Sequence, residues 1–178
     1  GHGESHDQPF ISIEDSAEKI IEYIEEECGK HVRYIAGFSV GAQITSEILS
    51  TCPDITENAA IESGCEIYVP IPKFAIEYLI RNKYYFQFLA DICPLPEKMN
   101  QKFIENYEKM SFQSLVNTAS SNLYHRAKSG LKNSDANVLI IVGDDEPWVM
   151  HIAAKRMAKL IPKSMFCSVK NTKHGGMS

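Results

Sequence analysis

The pentapeptide Gly-Phe-Ser-Val-Gly at 37–41 constrains the fold more than any other feature of the sequence. The segment 31–36 before it is predicted to be a short buried strand, and the pattern at 42–50 predicts a helix after it. A serine at the centre of such a tight strand-to-helix turn is lifted out at the carboxyl end of the sheet, and glycines two residues to either side give it room. The sequence therefore predicts that Ser39 stands at the carboxyl end of the sheet on a strained backbone.

Strand and helix patterns alternate along most of the chain. A first helix is predicted from its N-cap at Ser12 to Gly29. Further elements are predicted as strands at 58–63, 137–142 and 165–169 and as a helix at 148–161. Because parallel neighbours need a crossover and helices supply it, the alternation predicts an α/β fold with a mostly parallel sheet of about four strands. Strand 31–36 would leave one sheet edge unpaired.

The segment 66–130 interrupts this alternation. It has no strand pattern, and it holds 11 of the 17 aromatic residues. Helices are predicted within it at 72–90, 97–110 and 111–128, with Pro94 and Pro96 as breaks. A helical insertion between two strands is typical of a cap, whose aromatic side chains can line a pocket for an apolar ligand. The predicted organisation is a core formed by 1–65 and 131–178, with a helical cap at 66–130.

Charge and cysteine content exclude several classes of protein. The 18 basic and 23 acidic residues give a net charge of −5 without any basic run, so we expect no nucleic-acid partner. The longest apolar stretches are too short to cross a bilayer, so we expect no membrane partner. Five widely spaced cysteines without a CxxC pair argue against a disulfide framework and a thiolate zinc site. We therefore expect a cytoplasmic protein with no metal or other cofactor.

A serine hydroxyl becomes a good nucleophile only when a base takes its proton and a third group orients that base. His174 is the predicted base, because it follows the last strand and stands beside Gly175 and Gly176. The amide of Val40, at the start of the helix after Ser39, is the predicted oxyanion donor. Other histidines are predicted to be bystanders, His31 and His125 on the surface and His151 in a helix.

The orienting carboxylate is expected after strand 137–142. Three acidic residues stand there in a row, Asp144, Asp145 and Glu146. Only one of them can be the buried partner of His174, and the composition of this segment does not choose among them. The chain order serine, acid, histidine is the order of the α/β-hydrolase arrangement and differs from that of other folds with the same triad.

At this point the sequence resembles the α/β-hydrolase family. The resemblance rests on four motifs in the expected order, GHGES at 1–5, GFSVGA at 37–42, VLIIVGDDEP at 138–147 and NTKHGG at 171–176. It implies a partial α/β-hydrolase-like fold and a capped serine esterase. In many members the acid is the third residue after the glycine that closes the strand, which corresponds to Glu146 here. Aspartate is commoner there, so Asp144 and Asp145 remain alternatives.

The family also has strands and a helix before the turn at 1–5, and a helix after the histidine loop. One of those earlier loops supplies a second oxyanion amide, whose loss costs about 100- to 1000-fold in turnover. The resemblance therefore implies a fragment that lacks on the order of 40 to 60 upstream residues. The expected activity is hydrolysis of a small carboxylic ester or thioester through an acyl-enzyme. The alternative is a truncated or degenerate domain that binds a ligand or partner without turnover.

Overall fold

The core of the fold is a four-stranded parallel sheet. The computed structural model describes residues 3–82, 84–92 and 97–175. The strands are β1 (Val32–Phe38), β2 (Thr56–Glu62), β3 (Asn137–Gly143) and β4 (Ser164–Val169). They lie side by side in the order β1, β2, β3, β4, so β1 and β4 are the edges. The predicted α/β class and parallel sheet are confirmed.

Helices connect the strands. The helices are α1 (Ile13–Glu27), α2 (Val40–Thr51), α3 (Lys73–Ile80), α4 (Tyr85–Ile92), α5 (Glu97–Glu108), α6 (Phe112–Tyr124) and α7 (Trp148–Leu160). Helix α2 connects β1 to β2, α7 connects β3 to β4, and α3 to α6 lie between β2 and β3, inside the segment predicted as a cap. None of the helices in this described part of the chain is long and apolar enough to cross a bilayer.

Local sequence signals explain both the agreement and the differences in helix boundaries. The Ser12 hydroxyl accepts a hydrogen bond from the Asp15 amide at 3.1 Å, which confirms the predicted N-cap of α1. The single helix predicted at 72–90 is wrong, because the chain turns between α3 and α4. There the Asn82 side chain accepts from the Tyr84 amide at 3.0 Å, a local bond that competes with the helix.

Several predicted features lie outside the described residues. They are Gly1 and His2 of the first motif, the breaks Pro94 and Pro96, and Gly176 of the histidine loop.

The main hydrophobic core lies between one face of the sheet and helices α2 and α7. Its buried members on the strands are Ala59, Ile61, Val138, Ile140 and Val142, and those on the two helices are Ala42, Leu49, Met150, Ala154 and Met157. Side chains alternate between the two faces of a strand. The opposite face therefore carries Tyr34, Leu139 and Met165, which the described residues leave 71 %, 36 % and 68 % exposed.

A buried charge cluster lies where the segment between β2 and β3 begins and ends. His125, directly after α6, is 5 % exposed, so the prediction that it lies on the surface is wrong. Its Nε2 lies 3.3 Å from Oε2 of Glu47 on α2, and its Nδ1 lies 2.9 Å from Oε2 of Glu66, just beyond β2. Burial alone would lower the pKa of His125, but the two carboxylates outweigh it and raise the pKa to about 9. The ring therefore carries both protons at neutral pH.

Polar contacts extend this cluster along α2. The Ser46 hydroxyl donates to Oε1 of Glu66 at 2.7 Å. The side-chain amide of Gln43 donates to the carbonyl oxygens of Cys65 at 2.5 Å and Asn122 at 2.9 Å. Both the entry and the exit of the helical segment are thereby bound to the same helix, the one that begins directly after Ser39.

We predict that folding stability falls as the pH rises from about 6.5 to about 9. The His125 ring keeps its second proton up to about pH 9 in the folded chain, but only to about pH 6.5 in the unfolded chain. Its stabilising contribution is therefore complete below pH 6.5 and is lost as the pH passes through 9. The expected loss is on the order of 3 kcal/mol in the free energy of unfolding, measured by urea denaturation across this range.

Two variants separate His125 from other titrating groups. His125→Gln should remove most of the decline in stability, whereas His151→Gln, at a half-buried position on α7, should leave the decline unchanged. An equal decline in His125→Gln and in the unmodified protein would contradict the assignment.

Candidate active site

Ser39 lies at the turn between β1 and α2, with φ 54° and ψ −116°. A positive φ is uncommon for a residue other than glycine and stores strain, as the sequence predicts. The Ser39 amide donates to the carbonyl oxygen of Glu62 at 2.9 Å, so the end of β2 holds the turn in place. Val40 is the first residue of α2, and amides in the first turn of a helix have no acceptor within that helix.

The two glycines around Ser39 are not equivalent. A Cβ atom on Gly37 would collide with the carbonyl oxygen of Gly41 and lie 2.5 Å from Oγ1 of Thr45, so no side chain fits there. A Cβ atom on Gly41 would meet no heavy atom of the described residues within 4 Å. Among the described residues, β1 and α2 therefore approach closely at Gly37, whereas the space beside Gly41 is open.

The loop after β4 brings His174 to the carboxyl end of the sheet. A Cβ atom on Gly143, at the end of β3, would collide with the carbonyl oxygen of Thr172, so this glycine lets the loop approach. Gly175 has φ 78°, and a Cβ atom there would collide with the Phe38 ring. The centroid of that ring lies 5.0 Å from the centroid of the His174 ring. Phe38 and Gly175 thus fix the direction of the imidazole.

The imidazole of His174 lies between Ser39 and Glu146. Its Nε2 is 3.0 Å from Oγ of Ser39, and its Nδ1 is 2.9 Å from Oε2 of Glu146. Both distances are within hydrogen-bonding range. The structure therefore brings together three residues that the sequence predicts as nucleophile, acid and base, although they lie far apart in the chain. In such an arrangement the ring can take the hydroxyl proton while the carboxylate holds the ring in one tautomer.

Glu146 is buried in the turn after β3, and its side chain is 0 % exposed. Its Oε1 accepts hydrogen bonds from the Ser63 hydroxyl at 2.7 Å and from the Gly143 amide at 2.9 Å. Burial raises the pKa of Glu146, but the hydrogen bonds from His174, Ser63 and the Gly143 amide outweigh it and hold the pKa below its ordinary value. The carboxylate therefore stays charged at neutral pH.

Asp144 and Asp145 are exposed. The Asp144 carboxylate accepts from the Thr172 amide at 3.3 Å, and the Asp145 amide donates to the Thr172 carbonyl oxygen at 3.1 Å. Both residues thus contact the loop that carries His174. Of the three carboxylates that the sequence left open, Glu146 is the one that contacts the His174 ring among the described residues.

The sequence did not predict a role for Ser63. This residue follows β2 directly, is 3 % exposed, and has φ 55°. The one signal that could have found it is its place at the carboxyl end of the predicted strand 58–63. Carboxyl ends of neighbouring parallel strands meet at one edge of the sheet.

One further group of side chains has the composition of a metal site. Ligand atoms of Glu14, Glu47 and His125 lie within 4.8 Å of one another. The ammonium group of Lys128 lies 2.6 Å from Oε1 of Glu47 and 3.5 Å from Oε1 of Glu14. A divalent cation would have to displace this ammonium group and remove a proton from His125. We assign no metal to this group.

Several solved structures have a similar fold. An esterase, EaEST from Exiguobacterium antarcticum, superposes with a TM-score of 0.76 at 18 % identity over 92 % of this chain and 67 % of that one. A hydrolase from Pseudomonas aeruginosa PA01 gives 0.79 at 13 % identity over 98 % and 69 %. MenH from S. aureus gives 0.72 at 17 % identity over 98 % and 73 %. Neither a protein-family model nor a curated protein sequence matches this chain.

These similarities identify the architecture. The chain has a partial α/β-hydrolase fold, which confirms the resemblance seen in the sequence motifs. It spans 67 %, 69 % and 73 % of the length of these three structures.

We predict opposite effects for alanine at the two glycines of the turn. Gly37→Ala should lower the free energy of unfolding by about 1 to 3 kcal/mol or prevent folding, because its Cβ atom collides with the backbone of α2. Gly41→Ala is the matched control and should leave stability unchanged or raise it by about 0.5 to 1 kcal/mol, since alanine favours a helix. Urea denaturation of both variants measures this. Equal losses would contradict the packing described here.

Proposed function

We propose that this protein is a serine hydrolase that cleaves a small carboxylic ester or thioester through an acyl-enzyme. The observation that carries the proposal is the position of the His174 ring, 3.0 Å from Oγ of Ser39 and 2.9 Å from the carboxylate of Glu146. The names of the similar structures support the class, since one is called an esterase and another a hydrolase. The substrate partner we expect is therefore a small molecule.

In the first half of the reaction, Oγ of Ser39 attacks the carbonyl carbon of the substrate while Nε2 of His174 takes the hydroxyl proton. The amide of Val40 donates to the oxyanion that forms, at the positive end of α2. The imidazolium then gives its proton to the leaving alcohol or thiol. The bond from the carbonyl carbon to the leaving group breaks, and the acyl group stays on Ser39.

In the second half, a water molecule gives a proton to the neutral His174 ring and attacks the acyl carbon. The ring returns this proton to Oγ of Ser39, and the carboxylic acid leaves. Glu146 keeps its negative charge throughout, holds the proton of the ring on Nδ1, and stabilises the imidazolium. Its lowered pKa suits this role, because a protonated Glu146 would give no such stabilisation.

Exposed aromatic side chains between β2 and β3 favour a partly apolar substrate. Among them are Phe74 and Tyr78 on α3, Tyr84 just before α4, Phe88 on α4 and Phe112 on α6, each 38 % to 75 % exposed. Aromatic side chains on a cap can bind the apolar part of an ester.

A second candidate function is binding of a ligand or partner without turnover. The chain spans 67 % and 65 % of the length of two esterases with a similar fold, and the shared fold by itself carries no activity over to this chain. The two candidates differ in whether Ser39 is chemically activated.

We predict that a fluorophosphonate probe labels Ser39, because only a serine whose proton is taken by a base reacts with such a probe. Intact mass and peptide mapping measure the label. Ser39→Ala should not be labelled. Ser46→Ala removes another buried hydroxyl from α2 and should be labelled like the unmodified protein. A folded protein that stays unlabelled would support the second candidate function.

We predict that Glu146 is the acid of the triad. Glu146→Gln should lower kcat/KM for a small ester on the order of 10³- to 10⁴-fold, because the ring loses the charge that stabilises its protonated form. Asp144→Asn and Asp145→Asn are matched controls at exposed positions and should change kcat/KM by less than about threefold. A large loss in either aspartate variant, with Glu146→Gln active, would overturn this assignment.

A further inference from the structure

We propose that Ser63 is a positioning residue of this site, holding the Glu146 carboxylate in the orientation that serves His174. The inference rests on the proposed function. Ser63 directly follows β2, whereas Glu146 lies in the turn after β3. The Ser63 hydroxyl donates to Oε1 of Glu146 at 2.7 Å, so Oε2 is left to accept from the His174 ring at 2.9 Å.

Two donors on different strands fix the plane of the carboxylate. Besides the Ser63 hydroxyl, Oε1 of Glu146 accepts from the Gly143 amide at 2.9 Å. The last torsion of a glutamate side chain is broad and is poorly fixed by its own rotamer preference. With the Gly143 amide alone, the carboxylate could turn about this bond and carry Oε2 away from Nδ1 of His174. The Ser63 hydroxyl prevents this rotation.

The backbone at the end of β2 also reaches the nucleophile. The carbonyl oxygen of Glu62 accepts from the Ser39 amide at 2.9 Å, and the Ser63 amide donates to the carbonyl oxygen of Ile141 on β3 at 3.0 Å. Two consecutive residues, Glu62 and Ser63, therefore contact the turn of Ser39 and the carboxylate of Glu146. Ser63 has φ 55°, a conformation that glycine adopts without strain. A serine at this position has the strained backbone, but it supplies a hydroxyl that glycine lacks. This hydroxyl contacts Glu146.

Two substitutions separate the hydroxyl from the backbone. Ser63→Ala removes the hydroxyl and keeps the strain, whereas Ser63→Gly removes the hydroxyl and relaxes the backbone. Both should slow fluorophosphonate labelling of Ser39 by about 10- to 100-fold, the value of a hydrogen bond to a charged group. If Ser63 only shapes the turn, Ser63→Gly will react as fast as the unmodified protein, and the proposal is overturned. If Ser63→Ala does not fold, the labelling rate of Ser63→Gly alone tests the proposal.

Ser46 offers a matched control. Its hydroxyl is also buried and also donates at 2.7 Å to a buried glutamate, Oε1 of Glu66, but this pair lies in the charge cluster around His125. Ser46→Ala should therefore lower the melting temperature as Ser63→Ala does, while the labelling rate changes by less than about threefold. Equal slowing in both variants would mean that loss of any buried hydroxyl slows the reaction, and would overturn a specific role for Ser63.

A double-mutant cycle shows whether Ser63 acts through Glu146. In a Glu146→Ala background, Ser63→Ala should slow labelling by less than about threefold, because the carboxylate that it positions is gone. The same 10- to 100-fold loss in both backgrounds would overturn the proposal. The melting temperatures of the four proteins supply a readout that needs no activity, and the double variant should lose less than the sum of the single variants.

These outcomes keep the two proposals apart. If the unmodified protein does not react with the probe, the proposed function fails and the positioning role fails with it, even where the melting temperatures show the contact. If it reacts and Ser63→Gly reacts equally fast, the proposed function stands and only the role of Ser63 is overturned.

Discussion

The buried carboxylate of Glu146 is the constraint on which the rest of the site depends. A charge without access to water must be met by donors, and here the donors come from the ends of two neighbouring strands and from the loop after a third. Those three points meet because β2, β3 and β4 are adjacent and parallel. The sheet order thus brings the donors to the carboxylate, and the carboxylate in turn fixes the ring that faces Ser39.

The parts of the fold that could be predicted are those determined by local sequence. Apolar spacing and the Ser12 cap give α1, and the alternation of strand and helix patterns gives the parallel sheet. The burial of His125 and the contact of Ser63 depend on distant partners that local patterns do not contain, whereas the break between α3 and α4 carries a local signal at Asn82 that apolar spacing alone does not show. The choice among the three neighbouring carboxylates depends on burial in the same way, since the sequence does not show which of three adjacent acidic side chains is buried.

Two histidines show how the number of carboxylates determines what an imidazole can do. Both ring nitrogens of His125 face carboxylates, which raise its pKa to about 9, so the ring stays a cation at neutral pH. In His174 one nitrogen faces the Glu146 carboxylate and the other faces the Ser39 hydroxyl. That second nitrogen can accept a proton and release it again. The same side chain therefore stabilises the fold in one place and suits proton transfer in the other.

The helical stretch 67–124 begins and ends at almost the same point beside α2, since Oε2 of Glu66, just before it, lies 2.9 Å from Nδ1 of His125, just after it. A chain with this connection can exchange the whole segment for a shorter or longer one without altering the spacing of the strands beneath it. The segment is therefore a suitable place to graft a new binding surface while the sheet stays unchanged.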